Sequence, residues 1–189
     1  LGFVVENADI KAIVTQGRVT DGLDFVARLN EAIPALSAQP VNADLDLPNM
    51  PVLKRLILIG SDETPGFTTD AAFREIAETV PAETIDALRN RVRVRDTALM
   101  LYTSGTTSHP KGCMISHESL IRTGQAMAKR YDMTEDDVFW SPLPMYHIGA
   151  MFPLCAAYSV GATYLSMQYF DGGVALEMIE AERATVTYP

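Results

Sequence analysis

Residues 97–112 read Thr97-Ala98-Leu99-Met100-Leu101-Tyr102-Thr103-Ser104-Gly105-Thr106-Thr107-Ser108-His109-Pro110-Lys111-Gly112. The first seven read as a strand that delivers a loop at its carboxyl end. The loop packs hydroxyls, glycines and one lysine together, with no acid and no large apolar side chain after Tyr102. Glycine lets backbone bend and approach an anion closely. Successive N–H groups in such a bend form an anion-binding concavity, and Ser and Thr hydroxyls add further donors. Lys111 contributes a compact, mobile positive charge. The composition of the loop therefore suits a polyphosphate.

A Walker A loop is the first comparison, and it fails. That pattern needs glycine directly before the lysine and Ser or Thr directly after it. Here Pro110 precedes Lys111 and Gly112 follows it. Downstream, Cys113-Met114-Ile115-Ser116 reads as a short strand, so a helix dipole is not expected to assist the loop.

Tyr102 to Gly112 instead resembles the phosphate-binding segment of the adenylate-forming enzymes: acyl- and aryl-CoA synthetases, luciferases and peptide-synthetase adenylation domains. A second block, Ser141-Pro142-Leu143-Pro144-Met145-Tyr146-His147-Ile148-Gly149-Ala150, follows at that family's order and spacing. Val94 to Leu101, leading into the loop, is similar more loosely. Ser108 departs from the pattern, standing where most family members carry glycine. The resemblance implies a three-layer α/β/α fold with a mostly parallel sheet, and residues 1–189 as part of one AMP-binding domain.

It further implies an ATP-dependent acid–thiol ligase. A carboxylate attacks the α-phosphorus of ATP and pyrophosphate leaves; a thiol, commonly that of coenzyme A, then displaces AMP. By the same resemblance, Thr103, Ser104, Gly105, Thr106, Thr107 and Lys111 hold the β- and γ-phosphates. Thr103 helps hold Mg²⁺, and His147 orients the acyl carboxylate. Gly149 and Ala150 leave room for an acyl chain. The family's adenine-binding and acidic metal-binding block, its ribose aspartate and its C-terminal domain with a catalytic lysine have no match between Gly112 and Pro189. Both ends also read as interior, so the expectation is an internal piece of a longer enzyme that does not complete adenylation alone. The rival expectation is a nucleotide-binding module or stable core fragment without activity of its own.

The chain has 189 residues, 48% of them hydrophobic, enough for a sizeable core. Its net charge of −9 argues against nucleic acid, whose phosphates call for clustered Lys and Arg. Arg89, Arg91, Arg93 and Arg95 do alternate, and read as one exposed face of a strand. Val138 to Phe170 contains no Asp, Glu, Lys or Arg, but Pro142, Pro144, Gly149, Pro153 and Gly161 interrupt it too often for a membrane span. Cys113 and Cys155 lack metal or redox spacing and read as buried, reduced thiols of a cytoplasmic protein. A homo-oligomer is compatible with these features, and no residue specifies one.

Strand patterns at Lys11–Thr15, Leu53–Ile59, Thr97–Thr103, Asp137–Ser141, Ala162–Met167 and Thr185–Tyr188 alternate with helical ones at Asp21–Ile33, Thr69–Glu78, Ala82–Asn90, Ser116–Tyr131, Ile148–Ser159 and Val174–Glu182. Such alternation independently predicts an α/β fold with a mostly parallel sheet. Ligands then collect at the carboxyl ends of strands, where both blocks fall.

The remaining polar candidates are weaker. His109 is assigned no role, and His117 reads as structural in the first turn of a helix. Asp132, Asp136 and Asp137 lack the glycine of a calcium loop. Asp96, the nearest acid before Lys111, sits at the wrong end of its strand for a metal site. Trp140 and Tyr146 are large enough to wall an acyl pocket, though core packing suits Trp140 equally. The apolar stretch from Met145 to Phe152 favours a fatty or aromatic acid. It has no aspartate for a substrate amine.

Overall fold

Leu56, Ile57 and Leu58 are consecutive and all buried, as a strand covered on both faces requires. They belong to the first of two units, Leu1–Arg91 and Val92–Pro189. The computed structural model describes residues 1–20, 22–60, 63–103 and 109–187, with Thr20 placed by its backbone alone.

The first unit runs α1 (Gly2–Asn7), β1 (Ala12–Gln16), a small antiparallel pair β2 (Arg18–Thr20) and β3 (Leu23–Asp24), and α2 (Phe25–Ala32). A 3₁₀ turn, Pro34–Ala38, precedes β4 (Arg55–Ile59), β5 (Thr68–Thr69), α3 (Asp70–Glu78) and α4 (Ala82–Arg89). β1, β4 and β5 form a parallel sheet in that order, registered from Ala12 opposite Arg55 to Gln16 opposite Ile59. Leu29, Ile33, Leu36, Leu56, Leu58 and Phe67 are buried together as its core.

The helix expected from Asp21 begins later, at Phe25. Asp24 is its cap, accepting the Ala27 N–H at 3.0 Å, and the residues before it are taken up by the β2–β3 pair. Thr69, the first residue of its expected helical range, is the cap of α3, accepting the Ala72 N–H at 3.2 Å.

The second unit contains β6 (Thr97–Thr103), β7 (Lys111–Ser116), α5 (His117–Arg130), β8 (Val138–Ser141), α6 (Ile148–Val160), β9 (Thr163–Ser166), α7 (Gly172–Ala181) and β10 (Val186–Thr187). β10, β8 and β9 form a parallel sheet with β8 in the centre, whereas β6 and β7 pair antiparallel as a hairpin. The α/β class and the mostly parallel pairing are as expected.

α5 and α6 meet through small residues. Leu120, Gly124 and Ala128 form the buried stripe of α5, spaced four apart, and Ala156 and Ala157 are fully buried on α6. A Cβ on Gly124 would lie 2.7 Å from the carbonyl carbon and the Cβ of Cys155. That glycine is therefore what permits the close helix approach. Ile121 and Tyr131, off this stripe, are half exposed at 50% and 45%.

Three other expectations are corrected here. The arginine run is no strand: the Arg93 N–H donates to the Asp96 carboxylate at 2.8 Å and the Asp96 N–H to the Arg93 carbonyl at 2.9 Å, closing a turn. Cys113 is exposed on β7, because a two-stranded hairpin offers it no second layer, and Cys155 is only partly buried. Burial raises the Cys155 thiol pKa. Among the described residues, no helix is long and apolar enough to cross a membrane.

Candidate functional site

β6 owes its strand to Leu99, Met100, Leu101 and Tyr102, and it delivers Thr103 at its carboxyl end. β7 returns beside it, starting at Lys111. The ladder pairs Tyr102 with Gly112 and ends with Thr103 opposite Lys111. Residues 104–110 are thus the connection of a hairpin. Ser104, Gly105, Thr106, Thr107 and Ser108 lie outside the described residues.

Two features of this hairpin suit an anion. Thr103 and Lys111 are both exposed, and among the described residues Lys111 has no carboxylate partner. Gly112 sits under the aromatic ring of Tyr102: a Cβ there would lie 3.2 Å from the Tyr102 Cζ and 3.1 Å from the Met100 sulfur. A larger residue at position 112 would displace the ring. A hydroxyl such as that of Thr103 is a hard oxygen donor, the ligand type Mg²⁺ takes.

Asp96 is held away from this mouth. It precedes Thr97, at the opposite end of a seven-residue strand, about 20 Å away at ~3.4 Å per residue. Its carboxylate is used on the Arg93 N–H.

The second block joins β8 to α6. Ser141 ends β8 and is fully buried; its hydroxyl oxygen accepts the Leu143 N–H at 3.3 Å. His147 is the N-cap of α6: the Gly149 N–H donates to His147 Nδ1 at 3.0 Å, and the Ala150 N–H to the His147 carbonyl at 3.0 Å. Because Nδ1 accepts, a neutral imidazole carries its proton on Nε2. His147 is exposed, so a donor N–H faces outward from the start of a helix.

Gly149, read from sequence as space for an acyl chain, has a second role. A Cβ on it would stand 2.6 Å from Leu143 Cδ1 and 2.9 Å from His147 Nδ1. Tyr146 is 82% exposed, while Trp140 is buried at 7%, so the indole packs into the interior. His117 opens α5, where its N–H donates to the Asp96 carbonyl at 3.2 Å, a structural role.

Sequence reasoning missed Tyr164. Its hydroxyl donates to the Ala150 carbonyl at 3.3 Å. Desolvation by burial raises its pKa, and the Ser141 side chain works in the opposite direction. Its ring stacks on fully buried Phe139, with centroids 6.0 Å apart. The only signal was a tyrosine in a strand pattern, which by itself says nothing about position 150.

The family model described as AMP-binding enzyme matches residues 1–189, the whole chain. The chain belongs to the AMP-binding enzyme family. Among curated relatives, this family member is similar to YngI of Bacillus subtilis (strain 168), named as a candidate acyl-CoA synthetase. The two are 30% identical over 100% of this chain and 34% of that protein. It is 31% identical to the long-chain-fatty-acid–CoA ligase FadD13 of Mycobacterium tuberculosis, over 66% of this chain and 25% of that protein. Among solved structures, the anthranilate CoA ligase AuaEII in complex with anthranoyl-AMP superposes with a TM-score of 0.72 at 18% identity. That match covers 100% of this chain and 32% of AuaEII. At that identity the likeness shows the fold. The chain spans about a third or less of the length of the relatives it matches.

Proposed function

We propose that these residues form the phosphate-binding and carboxylate-orienting part of an ATP-dependent acid–thiol ligase. The reading rests above all on one observation, the ladder pairing of exposed Thr103 with exposed Lys111 on either side of residues 104–110. In this reading Lys111 and the hydroxyl and amide donors of Thr103, Ser104, Gly105, Thr106 and Thr107 take the β- and γ-phosphates of ATP. Thr103 contributes an oxygen to Mg²⁺, which supplies neutralisation of phosphate charge when bound. His147 donates from Nε2 to the acyl carboxylate. The first half-reaction joins two anions, so charge neutralisation and in-line positioning dominate over proton transfer.

Coenzyme A is the proposed acceptor thiol. A fatty or aromatic acid is the proposed substrate, because the segment from Met145 to Phe152 is apolar apart from His147. The names of the relatives quoted above agree with both. The 189 residues alone are proposed not to complete adenylation, since they lack a match to the family's adenine-binding block and catalytic lysine. The cytoplasm is the proposed location.

The test is product analysis. A longer family protein carrying these residues, given ATP, Mg²⁺, coenzyme A and a panel of fatty and aromatic acids, is expected to release AMP and form an acyl thioester. The 189-residue chain is expected to form neither. AMP release independent of any acid contradicts the ligase reading; ATP binding without turnover by the longer protein supports a binding module instead.

A further inference from the structure

The β8–α6 turn is held at both ends by side-chain hydroxyls. The Leu143 N–H donates to Ser141 Oγ at one end, and the Tyr164 hydroxyl donates to the Ala150 carbonyl at the other. Tyr164 comes from β9, so a neighbouring strand anchors the first turn of α6, where the Ala150 N–H in turn holds the His147 carbonyl at 3.0 Å. Pro153 lies inside α6 and has no N–H, which leaves the Gly149 carbonyl without its usual partner four residues on. An added anchor at Ala150 therefore acts where the helix is weakest. Within the turn, Leu143 lies against Gly149, whose N–H holds His147 Nδ1.

We propose that Tyr164 is a positioning residue for His147, acting through Ala150 to hold the turn in which Gly149 fixes the imidazole as an Nε2–H donor. The inference rests on the ligase reading only for the purpose of that donor. Phe139 explains why a strand tyrosine can serve. Stacking on this fully buried ring fixes the Tyr164 plane, so its hydroxyl needs little further ordering to reach Ala150. Gly149 must be glycine because a Cβ would press on both the imidazole and Leu143.

The experiment uses the 189-residue chain with ¹⁵N-labelled histidine. Long-range ¹H–¹⁵N spectra are recorded at about pH 8.5, well above ordinary histidine titration. The three histidines are assigned by substitution. His147 is expected as a single Nε2–H tautomer. Tyr164→Phe, which keeps the Phe139 stack, and Gly149→Ala are each expected to turn it into a mixture, leaving the His109 and His117 signals in place. Should Gly149→Ala not fold, Tyr164→Phe carries the test. An Nδ1–H or mixed His147 in the unsubstituted chain overturns the proposal. So does Tyr164→Phe that lowers the melting temperature yet leaves His147 a single tautomer. No ATP or acid is present, so this result and that of product analysis fail independently.

Discussion

Thr103 and Lys111 face each other as the last ladder pair of the β6–β7 hairpin. A hydroxyl and an ammonium are thereby fixed at the two stems of the loop, on backbone that is already hydrogen-bonded. Hydrogen bonds to charged groups contribute about 1.5–3 kcal/mol. Lys111→Ala is therefore expected to weaken binding of Mg-ATP to the longer enzyme by roughly 10–100-fold, and Lys111→Arg by less. Calorimetric titration measures both. Equal affinity for the alanine variant removes Lys111 from the site.

His147 caps α6 and is the proposed donor to the acyl carboxylate, and the two roles are separable. His147→Ser keeps a good N-cap and loses the reach of the ring, so stability should change by no more than about 0.5 kcal/mol while adenylation falls by tenfold or more. His147→Ala should lose about 1 kcal/mol of stability as well. Thermal melts read against initial rates separate the two. A serine variant with full activity contradicts the donor role.

Gly124 sets the approach of α5 to α6. In an exposed helix, Gly→Ala gains up to about 1 kcal/mol. Here the new methyl would meet Cys155 backbone at 2.7 Å. Overpacking of this kind typically costs about 1–3 kcal/mol, so Gly124→Ala should destabilise the chain despite the better helix former. Denaturant midpoints decide the sign.

Asp137 links pH to stability. Its carboxylate accepts the Thr134 N–H at 2.7 Å and the Thr185 hydroxyl at 2.7 Å, and these bonds, the Thr134 amide first, lower its pKa below the ordinary 3.8. A lowered folded-state pKa means the contribution is complete above the unfolded value and disappears as pH falls below about 4 through the folded value. Thr185→Val should therefore raise the pH midpoint of acid unfolding and change stability near pH 3 less than at pH 7. An unchanged midpoint would show that Asp137 is not part of the acid transition. The carboxylate is solvent-exposed, so the effect is expected to be small.

Much of this was legible in the sequence because local patterns matched tertiary demands. Thr97–Thr103, the helix that starts at Ser116 and the α6 run appear where hydrophobic spacing puts them. The arginine run misled because alternation resembles a strand, while Asp96 closes a turn that a single sequence does not advertise. Cys113 misled because an apolar neighbourhood in sequence became an open hairpin face. At the site, Thr103, Lys111 and His147 were visible as chemistry, and His147 as a cap was not. The Gly149–His147 bond and the Tyr164 anchor depend on rings and strands meeting in space. Ser104, Gly105, Thr106 and Thr107 were read from composition, and their placement lies outside the described residues.

The most direct measurement is acid-dependent exchange of labelled pyrophosphate into ATP by a longer family protein that carries these residues. Exchange that requires both the acid and Mg²⁺, and that falls at least about tenfold in Lys111→Ala, is the predicted result. Formation of ADP and phosphate with no exchange, for every acid tried, would contradict the account.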